Sequence, residues 1–446
     1  MLKKNHTFLK KLLLEVTLLF QKFPALLYIF KWLIICLIIG ICVGTASAGF
    51  LLSLQWATDF RENHLWIIAL LPMGGLVVGI IYLYYGQEVE AGNNLLIDNV
   101  HNPQKKIPFR MAPFVYLGTI VTHLFGGSAG REGTALQMAG AIADQFTAIF
   151  KLNTEERKVL LILAIASGFG SVFGTPLAGA VFGLEVYLIG KIKYNALFPA
   201  FIASILADWT TTNLYGVTHI HYSIDIVPSL NVLTIIYSTI AGVLFGICAA
   251  VFSKGLQLTG IFFKDNIIYP PFRPFVGGII VALAVFSIGT TKYIGLGIPY
   301  IVESFEKQSY FYEFAIKMLF TIITLSTGFK GGEVTPLFYI GATLGSAASL
   351  FLPLPTGLLA GMGFVAVFAG ATNTPLACIL MGIELFGIES GIYIAIACIT
   401  AYLFSGHNSI YSKQRIGVRK HTQPNKYYRK RISDIKKLNV LKKQTN

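Results

Sequence analysis

Apolar runs dominate the chain, and the interruptions between them are as informative as the runs. The first covers residues 28–58, with glycines at 40, 44 and 49 that invite close helix packing. A second spans about 66–85 and gives way to EVEAGNNLLIDNV (88–100), too polar and too short to cross a bilayer alone. Residues 109–125 are apolar again and lead into GGSAGREGTALQMA (126–139), where a helix is predicted to begin at Glu132. KLNTEER (151–157) is predicted as a loop, 159–170 and 174–189 as short segments separated by Gly-rich sequence, and 194–214 as a further span. A polar link, HIHYSIDIVPS (219–229), opens the second half, which runs through 230–258, 272–290, a short piece at 295–303, then 312–326, 331–351, 356–371, 373–387 and 388–405. Many of these runs are too short or too broken by Gly and Pro to be plain spanning helices. Irregular backbone at membrane depth is tolerated only where it is buried in protein or lines a polar path. The pattern therefore predicts an all-α membrane transporter or channel of discontinuous helices.

Composition agrees: 54% of the 446 residues are hydrophobic and 13% charged, about half the charge of a soluble domain. The chain after Tyr411 is too short for a soluble domain. Net charge is +14, but its placement matters more than its size. Residues 1–31 hold six Lys/Arg against one acid and residues 412–446 hold twelve against one, so the membrane core between them is nearly neutral. Basic flanks of this kind predict that both termini are cytoplasmic and anchor at the lipid surface, with no nucleic-acid partner. Residues 1–27, including FLKKLLLEVTLLFQKF, lack a small-residue cleavage site and read as an amphipathic surface helix, and 417–446 as a basic cytoplasmic tail. The five cysteines all sit in apolar segments without metal-type spacing, so neither disulfides nor a metal or cofactor is expected.

An internal repeat divides the membrane core. GTPLAGAVFGLEVY (174–187) matches NTPLACILMGIELF (373–386), aligning Glu185 with Glu384. Upstream, GREGTALQMAG (130–140) corresponds to GGEVTPLFYIG (331–341), aligning Glu132 with Glu333. Two repeats follow, 28–222 and 223–416, and such halves surround a midplane site built from helix ends. Glu132 is the candidate at its centre. Glycines 126, 127, 130 and 133 let backbone approach a small ligand, and the N–H groups at the helix start favour negative charge. The carboxylate can fill that place itself, or take a proton, swing out and leave it to a soluble anion. That competition is proton-coupled anion transport.

Three motifs now resemble one family. GSAGREGT is similar to the second signature of CLC anion channels and transporters, which holds their external gating glutamate; GFKGGEVTP is similar to the third, at the start of a half-helix. SGHNSIYSKQ (405–414) resembles the last short helix, whose tyrosine reaches the central anion site. The resemblance covers about residues 28–416 and implies a CLC-like fold of two inverted-topology repeats with broken, tilted helices, assembled as a homodimer with a path in each subunit. Three departures mark the chain. Gly92-Asn93-Asn94-Leu95 stands where chloride-handling members carry a Gly-Ser-Gly-Ile-Pro segment; Glu333-Val334-Thr335 replaces apolar or small residues; and Val186 occupies the place of the inner proton glutamate. All three resemble the fluoride/proton antiporter branch, which implies export of cytoplasmic fluoride, a transporter and not an enzyme.

On that resemblance Glu132 is the gate and proton carrier, and Glu333 serves the proton or anion pathway. Asn93, Asn94, Val334, Thr335, Tyr411, Gly130 and Gly133 are anion-site candidates, because fluoride gives up its water only to close, strong donors. The alternatives for Glu333 are pairing with Lys330 or capping its helix, and for Asn93 and Asn94 turn-making. Glu185 and Glu384 are expected to tie helices together; Asp144, Asp208, His123 and His407 to be structural or interfacial; Arg131 to carry no chemistry. Two other functions stay open: a chloride/proton antiporter or chloride channel of the same family, and, more remotely, an intramembrane serine hydrolase on Gly126-x-Ser128-x-Gly130 with His407 as base.

Overall fold

The computed structural model describes residues 24–420, 430–432 and 434. The predicted surface helix therefore lies outside the described residues except for 24–27, and the basic tail outside except for 417–420 and the few positions after 429. Sixteen α-helices follow in order among the described residues. In the first half these are α1 (Pro24–Asn63), α2 (Leu71–Tyr85), α3 (Asn93–His101), α4 (Met111–Leu124), α5 (Glu132–Ile149), α6 (Thr154–Phe173), α7 (Pro176–Glu185) and α8 (Leu197–Trp209). The second half supplies α9 (Val232–Asn266), α10 (Phe272–Ile288), α11 (Ile298–Glu306), α12 (Glu313–Ser326), α13 (Val334–Ala348), α14 (Thr356–Thr372), α15 (Pro375–Phe386) and α16 (Gly391–Phe404). Among the described residues, only α1, the helical stretch Leu65–Tyr85 and α9 are long and apolar enough to cross a membrane by themselves; the rest are the broken pieces the sequence pattern predicts. Large apolar side chains such as Trp56, Trp66, Leu258 and Leu283 stay exposed on the perimeter, as lipid-facing residues do.

Three boundaries differ from the sequence expectation. The first span begins at Pro24, four residues inside the segment assigned to the surface helix. KLNTEER is not all loop: the Asn153 side chain accepts from the N–H groups of Glu155 and Glu156 at 3.0 Å, and Glu156 returns a bond to Asn153 N–H. That capping box starts α6 inside the charged stretch. Helix α6 then runs unbroken through Gly168 and Gly170, whose missing side chains admit the Ala135 carbonyl and the Ser204 hydroxyl. Glycine there marks helix contact, not helix breakage. The same holds for Gly40 and Gly44 of α1, which let the backbone of α8 approach at Ala203 and Ala207, whereas Gly49 has nothing near it.

The two repeats are joined by contacts that mirror each other. The Glu185 carboxylate, at the end of α7, accepts from Leu376 and Ala377 N–H at the start of α15 (3.3 and 3.0 Å). Glu384, near the end of α15, accepts from Leu177 and Ala178 N–H at the start of α7 (2.9 and 2.7 Å). Equivalent helices thus lie antiparallel, each acid satisfying the other's orphan N–H groups, the arrangement inverted repeats require. Phe169 and its counterpart Phe368 stack at 6.0 Å with 12° between planes, and Gly130 and Gly332 exchange a pair of backbone bonds.

Candidate functional site

Glu132 opens α5 and is 0% exposed. Its carboxylate does not rest on its own helix alone. One oxygen accepts from Thr335 N–H and Arg131 N–H at 3.1 Å each, and the other from the Thr335 hydroxyl at 2.5 Å. Thr335 is the second residue of α13, so the acid of one repeat sits on the helix start of the other, where N–H groups are unpaired and the dipole favours an anion. Arg131 Nε stands 3.4 Å from the carboxylate, with its guanidinium over the Phe173 ring. Arg131, expected to carry no chemistry, is the cation beside the acid. Its position next to Glu132 was the only signal, and sequence neighbours seldom share a helix face.

The glycines position this carboxylate more than they donate to an ion. Gly130 N–H is committed to the Gly332 carbonyl at 2.6 Å, so it is not a free donor in this state. A Cβ at Gly130 would lie 2.8 Å from the Glu132 carboxylate and 2.9 Å from Pro336, which excludes any larger residue. A Cβ at Gly133 would meet Asn93 Nδ2 and Gly332 Cα at 2.9 Å, with Glu333 Oε2 at 3.6 Å. That close approach brings Asn93 and Glu333 together. Val334 is wholly buried.

A cavity of about 830 Å³ reaches this point, lined among others by Asn93, Gln137, Lys330, Glu333, Tyr411 and Ser412. Three enclosed polar atoms along its wall, Asn93 Oδ1, Glu333 Oε2 and the Tyr411 hydroxyl, have no hydrogen-bond partner. Enclosed polar groups are nearly always satisfied, and the exceptions call for a ligand, ion or water. Glu333 does not pair with Lys330, whose ammonium instead lies 3.8 Å from the centre of the Tyr82 ring. Asn94 lines the same cavity, and its Oδ1 accepts from Ser412 Oγ (3.2 Å) and Lys413 N–H (3.1 Å), tying the C-terminal segment to α3.

The segment 405–414 is not the short helix expected; it is a chain of turns. Side chains shape it. Gln414, fully buried, donates to the carbonyls of Val186 (2.7 Å) and Thr372 (2.8 Å) and accepts from Asn373 (3.0 Å). Ile410 N–H meets Ala371 O, and a two-residue parallel pairing of β1 (Leu188–Ile189) with β2 (Arg415–Ile416) follows. Tyr411 is thereby held at 1% exposure with its hydroxyl at the cavity. Gln414 was missed because nothing in Ser-Lys-Gln signals an amide bridging both repeats.

Other candidates are placed elsewhere. Asp144 is buried against Arg157 and holds Ile107 N–H; Asp208 lies 3.4 Å from His219; the carbonyl of buried His123 accepts from Arg61. Ser128 follows a helix, not the strand of a nucleophile elbow; its hydroxyl pairs with Thr321 and its N–H with Thr324, while His407 Nε2 accepts from Lys420 N–H. Hydrolase geometry is absent there.

A multi-pass membrane protein of inverted repeats, with broken helix ends meeting on a buried carboxylate beside a polar-ended cavity, is built as an ion transporter or channel. The family model described as "Voltage gated chloride channel" matches residues 74–406. A chloride/fluoride channel protein of Pseudomonas syringae pv. tomato is 51% identical over 426 residues, 94% of each chain. The crystal structure of a CLC-type fluoride/proton antiporter matches with a TM-score of 0.84 at 34% identity, covering 86% of this chain and 98% of that one. A slow cyanobacterial Cl−/H+ antiporter shares the fold, with a TM-score of 0.74 at 20% identity over 93% and 99% of the two chains. The chain belongs to the CLC family of voltage-gated chloride channels and transporters.

Proposed function

We propose that this protein is a fluoride/proton antiporter that expels fluoride from the cytoplasm by secondary active exchange, working as a homodimer with one path per subunit. The observation that carries the proposal is the Glu132 carboxylate bonded to Thr335 N–H and Oγ–H. An acid occupying a helix start in the facing repeat stands where a small soluble anion would be stabilised by the same donors. Deprotonated Glu132 fills the place; protonated, it loses the charge that holds it there, moves out, and fluoride takes its donors.

The cavity faces the cytoplasm, the side to which the basic ends assign both termini. Fluoride enters past Asn93 and the Tyr411 hydroxyl, which supply donors to replace its water. Glu333, with an enclosed and unpartnered oxygen at the cavity wall, exchanges the proton on this side. Glu185 and Glu384 keep their carboxylates on backbone N–H groups and hold the repeats together. Preference for fluoride is supported by the Asn93 and Thr335 donors, by the similarity to the Pseudomonas chloride/fluoride channel protein and by the fluoride/proton antiporter that matches in structure.

Purified protein in liposomes loaded with fluoride or chloride, with external pH recorded, tests this. Fluoride leaving faster than chloride and driving opposite proton movement is the expected result. Faster chloride overturns the ion assignment, and fluoride flux without protons makes the protein a channel.

A further inference from the structure

Lys330 is a cation without a salt-bridged acid among the described residues. Its stem lies across Gly118 of α4, where even a Cβ would come within 2.8 Å of the lysine side chain. Its ammonium sits 3.8 Å from the centre of the Tyr82 ring on α2. Among the described residues no carboxylate is within ion-pair distance of it; Glu90, which lines the same cavity, acts on its charge from farther away. A half-buried ammonium held only by a ring face keeps its three N–H donors largely unspent, because the ring offers its negative face and no lone pair. Placing it there without a carboxylate costs stability that a structural lysine would not need to cost. The group lines the cavity three residues before Glu333, and the exposed Lys264 lines it too.

We infer that Lys330 is an anion-recruiting residue in the cavity wall, attracting a small, hard, strongly hydrated anion into the cavity that Asn93 and Tyr411 also line. This rests on the transport proposed above and adds the residue that sets apparent affinity on the cavity side. The chemistry suits the position. A compact ammonium can take the place of a first-shell water of a fluoride ion with a charged N–H donor, and it can release its seat on the Tyr82 ring without breaking a hydrogen bond. Tyr82 keeps the charge in the channel of approach while leaving it free for the ion. A cation in a low-dielectric cleft raises the local anion concentration and the entry rate by about tenfold or more, and salt weakens the effect.

The test compares wild type, Lys330→Met, Lys330→Arg and, as a control at the other lysine that lines the cavity, Lys264→Ala in liposomes. Initial efflux is measured against internal fluoride at low and high ionic strength, with proton movement recorded in parallel. Lys330→Met keeps the stem over Gly118. It is expected to raise the half-saturating fluoride concentration about tenfold at low salt, to flatten its salt dependence, and to leave the fluoride-to-proton ratio unchanged. Lys330→Arg restores most of the affinity, and Lys264→Ala changes it by less than Lys330→Met. An unchanged half-saturation in a Lys330→Met protein that runs as a single species overturns the inference; so does a uniform loss of maximal rate with half-saturation intact, which marks a packing role. If wild type carries chloride instead of fluoride, the transported ion was misassigned, and the same variant ratio measured with chloride decides the role of Lys330. If wild type carries neither, both fall.

Discussion

Replacing Thr335 with Val removes one bond from the Glu132 carboxylate and leaves the others. The side chain keeps its size and branching, the Thr335 N–H still reaches one oxygen at 3.1 Å, and Arg131 still supplies its own N–H and its guanidinium. What is lost is the hydroxyl donor on the second oxygen, at 2.5 Å. A hydrogen bond to a charged group contributes about 1.5–3 kcal/mol, and every 1.4 kcal/mol is about tenfold in a population. The seated carboxylate should therefore lose about 10- to 150-fold relative to its displaced state. A gate so weakened stays open part of the time, and fluoride crosses without its proton. The assay is simultaneous fluoride efflux and proton uptake in liposomes. Thr335→Val should raise the fluoride-to-proton ratio, while Thr335→Ser, which keeps the hydroxyl, should preserve it. A Val variant with wild-type ratio and rate would show that this hydroxyl does not hold the gate.

Further tests address the supporting structure. Glu185→Gln and Glu384→Gln each remove the charge from a carboxylate that accepts two backbone N–H bonds across the repeats; each should destabilise the detergent-solubilised protein by about 1–3 kcal/mol, read as a lower midpoint of thermal unfolding. Equal midpoints would remove their joining role. Gln414→Ala breaks three buried bonds that set the Tyr411 segment, so fluoride turnover should fall as it does in Tyr411→Ala, with the monomer fold retained; wild-type turnover would contradict that link. Asn93→Ala should weaken fluoride transport more than Asn94→Ala, because the Asn93 amide nitrogen lies beside Gly133 and Glu333 next to the Glu132 helix start, whereas the Asn94 side chain is fastened to the C-terminal segment by Ser412 and Lys413. The reverse order would place the ion on the other amide.

Much of this was legible from the residues because the fold repeats itself. The aligned Thr-Pro-Leu-Ala segments and the spacing of Glu132, Glu185, Glu333 and Glu384 fix the two halves, and both crossing acids sit where the repeat puts them. Side-chain spacing cannot show which of two equivalent helix starts receives a carboxylate, and Glu132 reaches the one belonging to α13. Charge misled at KLNTEER, where Asn153 and Glu156 satisfy orphan N–H groups and begin a helix. Glycine misled at 168 and 170, since close helix contact and helix interruption share one residue type. The turns at 405–414 were opaque because Gln414 is held by residues from both halves, 41 or more positions earlier in the chain.

Glu132→Gln decides whether one carboxylate governs both ions. The amide keeps the shape of the side chain but cannot exchange a proton or carry the charge that holds it on Thr335. In liposomes with an imposed fluoride gradient and a pH reporter, the variant should move no protons against fluoride, whether fluoride itself stops or leaks. Proton movement at the wild-type fluoride-to-proton ratio would contradict it.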